Sequence, residues 1–441
     1  MKLLVVSPDF ASHYTPLAAI GTAARRRGAD VLVASGPAVA ARLGTDGFGW
    51  RELLMSAGSN PGVLAPANDD EDPTDMAGFF TATRAGMIAT LRYQADMRGA
   101  DLLWRPGEVA RSVLRIVDNE QPDSIVVDHL AFACTLGLRA GGCPFTTFVP
   151  GHPSQLPVGD EIYGHPVAWP SWVDPDDAAL AQLLRRCAGV REAVTADYNR
   201  VLAELAPGCD AVDDAFAAHG HDVLYNAPGA LRDVGRDPML PVRHRFLGSC
   251  ARDEGLDRVS VEWLGKLDGE PFVYVSLGTF LSARTDVLRR IVDALVALGM
   301  PAAIATGSCP PGALGALPQD WLVAPELPQV ALLDHASAAV THGGNNTVTE
   351  ALTAGCPMVV LPFSTDQFAT AADLERTGLA TSLDPNRVRR AELAPAIADA
   401  VAARDRCDVM AIANALRAAP GADVAAARLV AGSSTPATMR G

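Results

Sequence analysis

The sequence contains no C-x-x-C pair and no Cys/His cluster at zinc-ligand spacing. Its cysteines stand singly at 134, 143, 187, 209, 250, 309, 356 and 407, the pattern of free thiols in a reducing compartment. No run of 18 apolar residues is present; the nearest, Ser124 to Pro150, is broken by Asp128, Arg139 and several Gly and Pro residues, so no membrane span is expected. The apolar start MKLLVVSPDF is ended by Asp9 and a proline too soon for a signal peptide. A cytoplasmic protein is the expectation. Positive charge is scarce: 36 Lys and Arg stand against 51 Asp and Glu, a net charge of -15, which argues against nucleic acid as a partner. It leaves room for one small phosphorylated ligand at a locally positive site. Both G-x-G-x-x-G and G-x-x-x-x-G-K-[ST] are missing, so neither a dinucleotide fingerprint nor a P-loop is available.

What is there is a chain of 441 residues, 49% apolar and 20% charged, long enough for two domains with a large core in each. Lys2 to Ser7 reads as a buried strand, Pro16 to Arg27 as a helix stopped by Gly28, and Asp30 to Ala34 as the next strand. That spacing suits a right-handed β-α-β crossover. DSIVVD (Asp123 to Asp128) and FTTFV follow as further strands. The pattern restarts after Leu247 with strands at Phe272 to Ser276, Ala302 to Ala305, Leu322 to Ala324, Ala338 to Thr341 and Met358 to Leu361. Apolar runs without alternation fit parallel sheets covered on both faces. The fold class is therefore α/β, with two doubly wound Rossmann-like domains: 1–240, and 255–425 with a last helix that can cross back to the first domain. Two long irregular segments, 56–75 and 150–176, read either as pocket-shaping loops or as plain surface loops; Tyr163, Trp169 and Trp172 lie in the second.

The strongest local signal is SAAVTHGGNNTVTEAL, Ser337 to Leu352. A strand ends at His342, Gly343 and Gly344 allow a tight turn and close approach of backbone to a ligand, and a helix starts at Asn345. Free N–H groups at that helix start make an anion site, to which His342, Asn346 and Thr347 add donors. Glu350, one turn on, can accept from ribose hydroxyls. The plain alternative is a strand-to-helix turn capped by Asn345. SLGT (Ser276 to Thr279), with Gly278, forms a second strand-end junction in the same half. A third is LPFSTDQ (Leu361 to Gln367), whose Asp366 and Gln367 suit sugar hydroxyls, although Asp366 also reads as a helix cap.

The stretch ELPQVALLDHASAAVTHGGNNTVTEALTAGCPMVVLPFSTDQ resembles the donor-site signature of the family-1 nucleotide-sugar glycosyltransferases of the GT-B fold, and most of all actinobacterial members that decorate natural products. The correspondence runs from Pro328 and Gln329 through His342, Gly344, Asn346, Thr347 and Glu350 to Pro362, Asp366 and Gln367. The resemblance implies that His342 and Thr347 bind the diphosphate, Glu350 the ribose, and Asp366 and Gln367 the transferred sugar. It also implies an aromatic residue stacked on the base three positions before Gln329, where this sequence has Glu326. The choice between UDP and dTDP is therefore open.

His13, in SHYTPLAAIG, falls between the first strand and the helix expected near Pro16. A neutral imidazole there can take the proton of an acceptor hydroxyl. Alone it reads more readily as a surface histidine; a carboxylate that orients it changes this. Asp128 ends a strand at the same sheet edge, though it also reads as a helix cap. The resemblance implies that the two form the family's His–Asp dyad. The expected activity is inverting transfer of a sugar from a nucleoside diphosphate to a small natural-product acceptor. No cofactor and no metal are expected, since no acidic D-x-D cluster accompanies the phosphate elements. A monomer or homodimer is expected. A nucleotide-sugar epimerase and a non-catalytic auxiliary protein of the same fold are the alternatives.

Overall fold

The computed structural model describes residues 1–56, 74–174 and 176–432. The loop expected at 56–75 therefore lies almost wholly outside the described residues.

Among the described residues, thirteen strands form two parallel sheets. β1 (Lys2–Val6), β2 (Asp30–Ser35), β3 (Gly49–Glu52), β4 (Ser124–Asp128), β5 (Thr146–Val149), β6 (Asp222–Tyr225) and β7 (His244–Phe246) make the first, in the order β3-β2-β1-β4-β5-β6-β7. β8 (Val273–Ser276), β9 (Ala302–Ala305), β10 (Leu322–Ala324), β11 (Ala338–Thr341), β12 (Met358–Val360) and β13 (Ala380–Ser382) make the second, in the order β10-β9-β8-β11-β12-β13. In each sheet the strand order reverses once, between β1 and β4 and between β8 and β11. The crevice outside the strand ends at such a reversal is where open α/β folds bind ligands. The central strands are the apolar runs of the sequence: Leu3 to Val6 and Val273 to Val275 are essentially inaccessible. Burying each such Val or Leu contributes about 1.5–3 kcal/mol.

The first helix departs from expectation. It spans Ala11–Arg26, so Pro16 lies inside it and His13 sits in its first turn, not in a loop before it. Proline at an interior position removes one hydrogen bond, here the one that the Ser12 carbonyl would accept. That carbonyl accepts from Asn346 Nδ2 instead, at 2.8 Å. The helix thus extends past its proline with the lost bond replaced from outside.

The first sheet runs past residue 240, since β7 pairs with β6. The last helix, Gly421–Gly432, packs Ala422, Ala425, Ala426 and Leu429 into the core beneath the first helix. The domains also meet along the 150–176 segment. Trp172 Nε1 donates to Ser382 Oγ (2.8 Å), the Ser171 amide donates to Glu375 (2.7 Å), and Trp169 packs on Phe368. These two tryptophans anchor the segment to the second domain, whereas Tyr163 stacks on Phe216 within the first.

Candidate functional site

The reversal in the first sheet places the ends of β1 and β4 side by side, with Val6 opposite Val127. The helix leaving β1 carries His13, and β4 ends at Asp128. Their side chains meet: His13 Nδ1 lies 2.8 Å from Asp128 Oδ2. Asp128 is fully buried, and His13 remains 16% exposed, enough for a solute to reach the ring. Asp128 Oδ1 accepts the Leu130 amide at 2.9 Å, so the carboxylate is held from both sides. It caps no helix, because the next one begins at Phe132 behind Ala131.

The second reversal joins the other two junctions. β8 and β11 pair with Ser276 opposite Thr341, so the residues that follow, Gly278 and His342, are neighbours. The imidazole of His342 is wedged between two glycines. A Cβ on Gly278 would lie 2.8 Å from the ring, and one on Gly344 only 2.3 Å from Nε2. Desolvation by burial pulls the His342 pKa down to about 4, so the ring is neutral at pH 7. Gly344 caps the helix Asn345–Ala354 in an ordinary extended conformation, so alanine there is excluded by the histidine and not by the backbone. Gly344→Ala should destabilise the protein by about 1–3 kcal/mol, as overpacking does. In a His342→Ala background the cost should largely vanish. Denaturant melts of the four proteins test this; equal costs in both backgrounds would refute the wedge.

Around Glu350 a buried network forms. Gln329 Nε2 donates to Glu350 Oε2 (2.5 Å) and to Thr347 Oγ1 (3.3 Å), while Tyr274 Oη donates to Gln329 Oε1 (3.2 Å). Burial pushes the Glu350 pKa up to about 7, against the hydrogen bond from Gln329 and the charge of Arg252. Ser276 is buried and its Oγ accepts the Gly278 amide. Gly343 follows with its amide directed to Thr341 Oγ1. Thr279 starts a short helix with Gly278, and its side chain lies outside the described residues.

Three expectations change in geometry. Gln367 is buried, and its Oε1 accepts the amides of Phe363 (2.9 Å) and Ser364 (3.2 Å). Its amide holds its own loop together, with Nε2 also donating to Ser364 Oγ at 3.3 Å. Asp366 precedes the helix Gln367–Arg376 but makes no side-chain cap. Instead it accepts the His152 amide of the first domain at 2.7 Å and the Thr365 hydroxyl at 2.8 Å. Asn346 points away from the helix start toward Ser12, and its Oδ1 accepts from Asn226 Nδ2 (3.3 Å).

Sequence reasoning missed Asn226, Asn345 and the Pro150–His152 turn. Asn345 Nδ2 donates to the carbonyls of Pro150 and Asn226, both at 2.6 Å. Adjacent asparagines at a helix start were the available signal. Among the described residues, no three His, Cys, Asp or Glu side chains are grouped to share one metal ion, and no helix is long and apolar enough to cross a membrane.

A small pocket lies in the first domain between Leu91, Ala95, Leu102, Tyr163 and Val190. Gln94, on its wall, accepts the Thr365 amide beside Asp366.

Residues 238–419 match the sequence model of the UDP-glucoronosyl and UDP-glucosyl transferase family. Among curated proteins, the demethyllactenocin mycarosyltransferase of Streptomyces fradiae is 32% identical over 221 residues, 48% of this chain and 45% of the relative. The oleandomycin glycosyltransferase of Streptomyces antibioticus is 28% identical over 59% of this chain and 56% of its own. The chain spans about half the length of these relatives in the matches. Solved structures match along the whole chain at lower identity. The glycotransferase of kitacinnamycin superposes with a TM-score of 0.66 at 23% identity, over 98% of each chain. The SnogD glycosyltransferase of Streptomyces nogalater gives 0.64 at 19%, over 98% of this chain and 99% of its own. These show a shared fold of two parallel-sheet domains, the GT-B arrangement. Residues 238–419 are thus similar to the UDP-glucoronosyl and UDP-glucosyl transferase family, and the chain as a whole shares the fold of these glycosyltransferase structures.

Proposed function

We propose that this protein is an inverting glycosyltransferase that moves a sugar from a nucleoside diphosphate to a hydroxyl of a small natural-product acceptor in the cytoplasm. The observation that carries this reading is the His13–Asp128 pair, one hydrogen bond away from the donor-side helix: Ser12, next to His13, accepts from Asn346 near the start of the helix Asn345–Ala354. The imidazole's Nδ1 is held by Asp128, so Nε2 is the atom that takes the acceptor's proton. The oxygen so activated attacks the anomeric carbon as the bond to the diphosphate breaks. Charge gathers on the departing diphosphate, and the free amides after Gly344, with the neutral His342 beside them, are placed to stabilise it. Glu350 and Gln329 recognise the ribose, and Asp366 the sugar.

The donor class is supported by a solved structure of the VinC glycosyltransferase, 18% identical, in complex with dTDP. The test is a thermal-shift screen of nucleoside diphosphates. At 100 times its Kd, a ligand adds about 2.7 kcal/mol of stability, so one base should stand out. Absence of a shift with every nucleoside diphosphate would sink the donor reading. Conversion of the nucleotide sugar to an isomer without any acceptor would replace transfer with epimerisation.

A further inference from the structure

We infer that Asn346 is a positioning residue that ties the base-carrying turn of the first domain to the donor-side helix of the second, and that Pro16 is what makes the tie available. The inference rests on the reading of His13 as the base. Pro16 has no N–H, so the Ser12 carbonyl has no helical partner, and the pyrrolidine ring tilts that carbonyl off the helix axis. Asn346 Nδ2 meets it at 2.8 Å. The amide of Asn346 is itself oriented, because its Oδ1 accepts from Asn226 Nδ2 at 3.3 Å. Asn226 is 1% exposed, and its Oδ1 accepts the Cys250 amide (2.9 Å) in the segment that links the domains. Asn345 adds two 2.6 Å bonds, to Pro150 and to Asn226 itself.

The chain of contacts runs from the interdomain link through Asn226 and Asn346 to Ser12, and from there along one peptide unit to His13. Asn346 lies two residues past Gly344, so whatever the helix start binds is held at a fixed offset from the imidazole. A displacement of about 1 Å between base and reacting centre can cost on the order of 10²-fold in rate. A phosphate ligand at Asn346 would instead act on donor affinity.

Hydrogen exchange of the ligand-free protein tests the tie without turnover. Asn346→Ala should speed exchange of the His13 and Tyr14 amides, both bonded to the Phe10 carbonyl, by about threefold or more on the scale of local opening. Pro16→Ala restores an N–H for Ser12 and draws its carbonyl back to the helix axis. For transfer, the probe is UDP-glucose or dTDP-glucose with 4-nitrophenol. Each single variant should lose about fivefold or more in kcat with the Kd for UDP or dTDP within twofold, and the double variant should be no worse than Asn346→Ala alone. Unchanged exchange in Asn346→Ala overturns the tie. So does a tenfold loss of diphosphate affinity at unchanged kcat, or multiplied losses in the double variant. Wild-type turnover by His13→Ala is the separate result that would remove the base and leave the exchange outcome standing.

Discussion

His13→Ala should lower kcat by about 10²–10⁴-fold, the usual contribution of a positioned general base, while the Kd for the nucleoside diphosphate stays within about twofold. The asymmetry follows from where the residue stands. His13 belongs to the first domain, and the side chains gathered at the glycine turn, His342, Thr347, Gln329 and Glu350, all belong to the second. Removing the imidazole takes away the proton acceptor without touching them. Asp128→Asn is the finer probe. The amide can still accept the Leu130 N–H, so the loop after β4 should hold, but it cannot neutralise the imidazolium formed during transfer. Its loss in kcat should approach that of His13→Ala, and the double variant should be little worse than either single one. Steady-state rates with isothermal titration of the diphosphate separate the two quantities. Multiplicative losses would mean that the residues act apart, and the 2.8 Å contact would then be structural.

The parts of this site that the sequence discloses are those made by local pattern. β1, β4, β8 and β11 are continuous apolar runs, and each ends on a polar or glycine-bearing junction. Parallel sheets bring such ends to one edge, so the meeting of His13 with Asp128 and of Gly278 with His342 follows from strand order. The edge strands β3, β7 and β13 escape notice because they are three or four residues long and partly exposed, with no apolar run to mark them. The start of the first helix is hidden by Pro16, which resembles a helix opener when its lost bond is judged from sequence neighbours alone. The replacement partner is Asn346, 330 positions on in the chain, and no local pattern points to it. Gln367 has contacts that are hidden for a related reason. Its type and place suit a sugar ligand, but its amide is used by Phe363 and Ser364, a choice fixed by the loop's own unpaired N–H groups.

Glu350→Gln should make the ligand-free protein more stable at pH 8 and leave it nearly unchanged at pH 4, while it weakens nucleoside-diphosphate binding. Burial raises the Glu350 pKa from the ordinary 4.5 to about 7. Between those two values the unfolded chain has released a proton that the folded chain still holds. Unfolding then becomes easier as pH rises through that window, and above about pH 7 the full cost of the buried carboxylate is present. That cost is on the order of 3 kcal/mol. A glutamine at 350 removes it and can still accept from Gln329 Nε2, so the network with Thr347 and Tyr274 persists. A site that keeps a destabilising charge is explained if a ligand needs it. Ribose hydroxyls donate more strongly to a carboxylate than to an amide, by about 1–1.5 kcal/mol, which corresponds to a roughly 5- to 10-fold loss of affinity in the variant. A 2′,3′-dideoxynucleoside diphosphate, with no ribose hydroxyls to offer, should bind wild type and variant alike. Melts at the two pH values and titrations with the two ligands decide the matter together. A stability difference that does not depend on pH would show that Glu350 is ionised at little cost. Equal loss for both ligands would show that its carboxylate meets something other than the ribose.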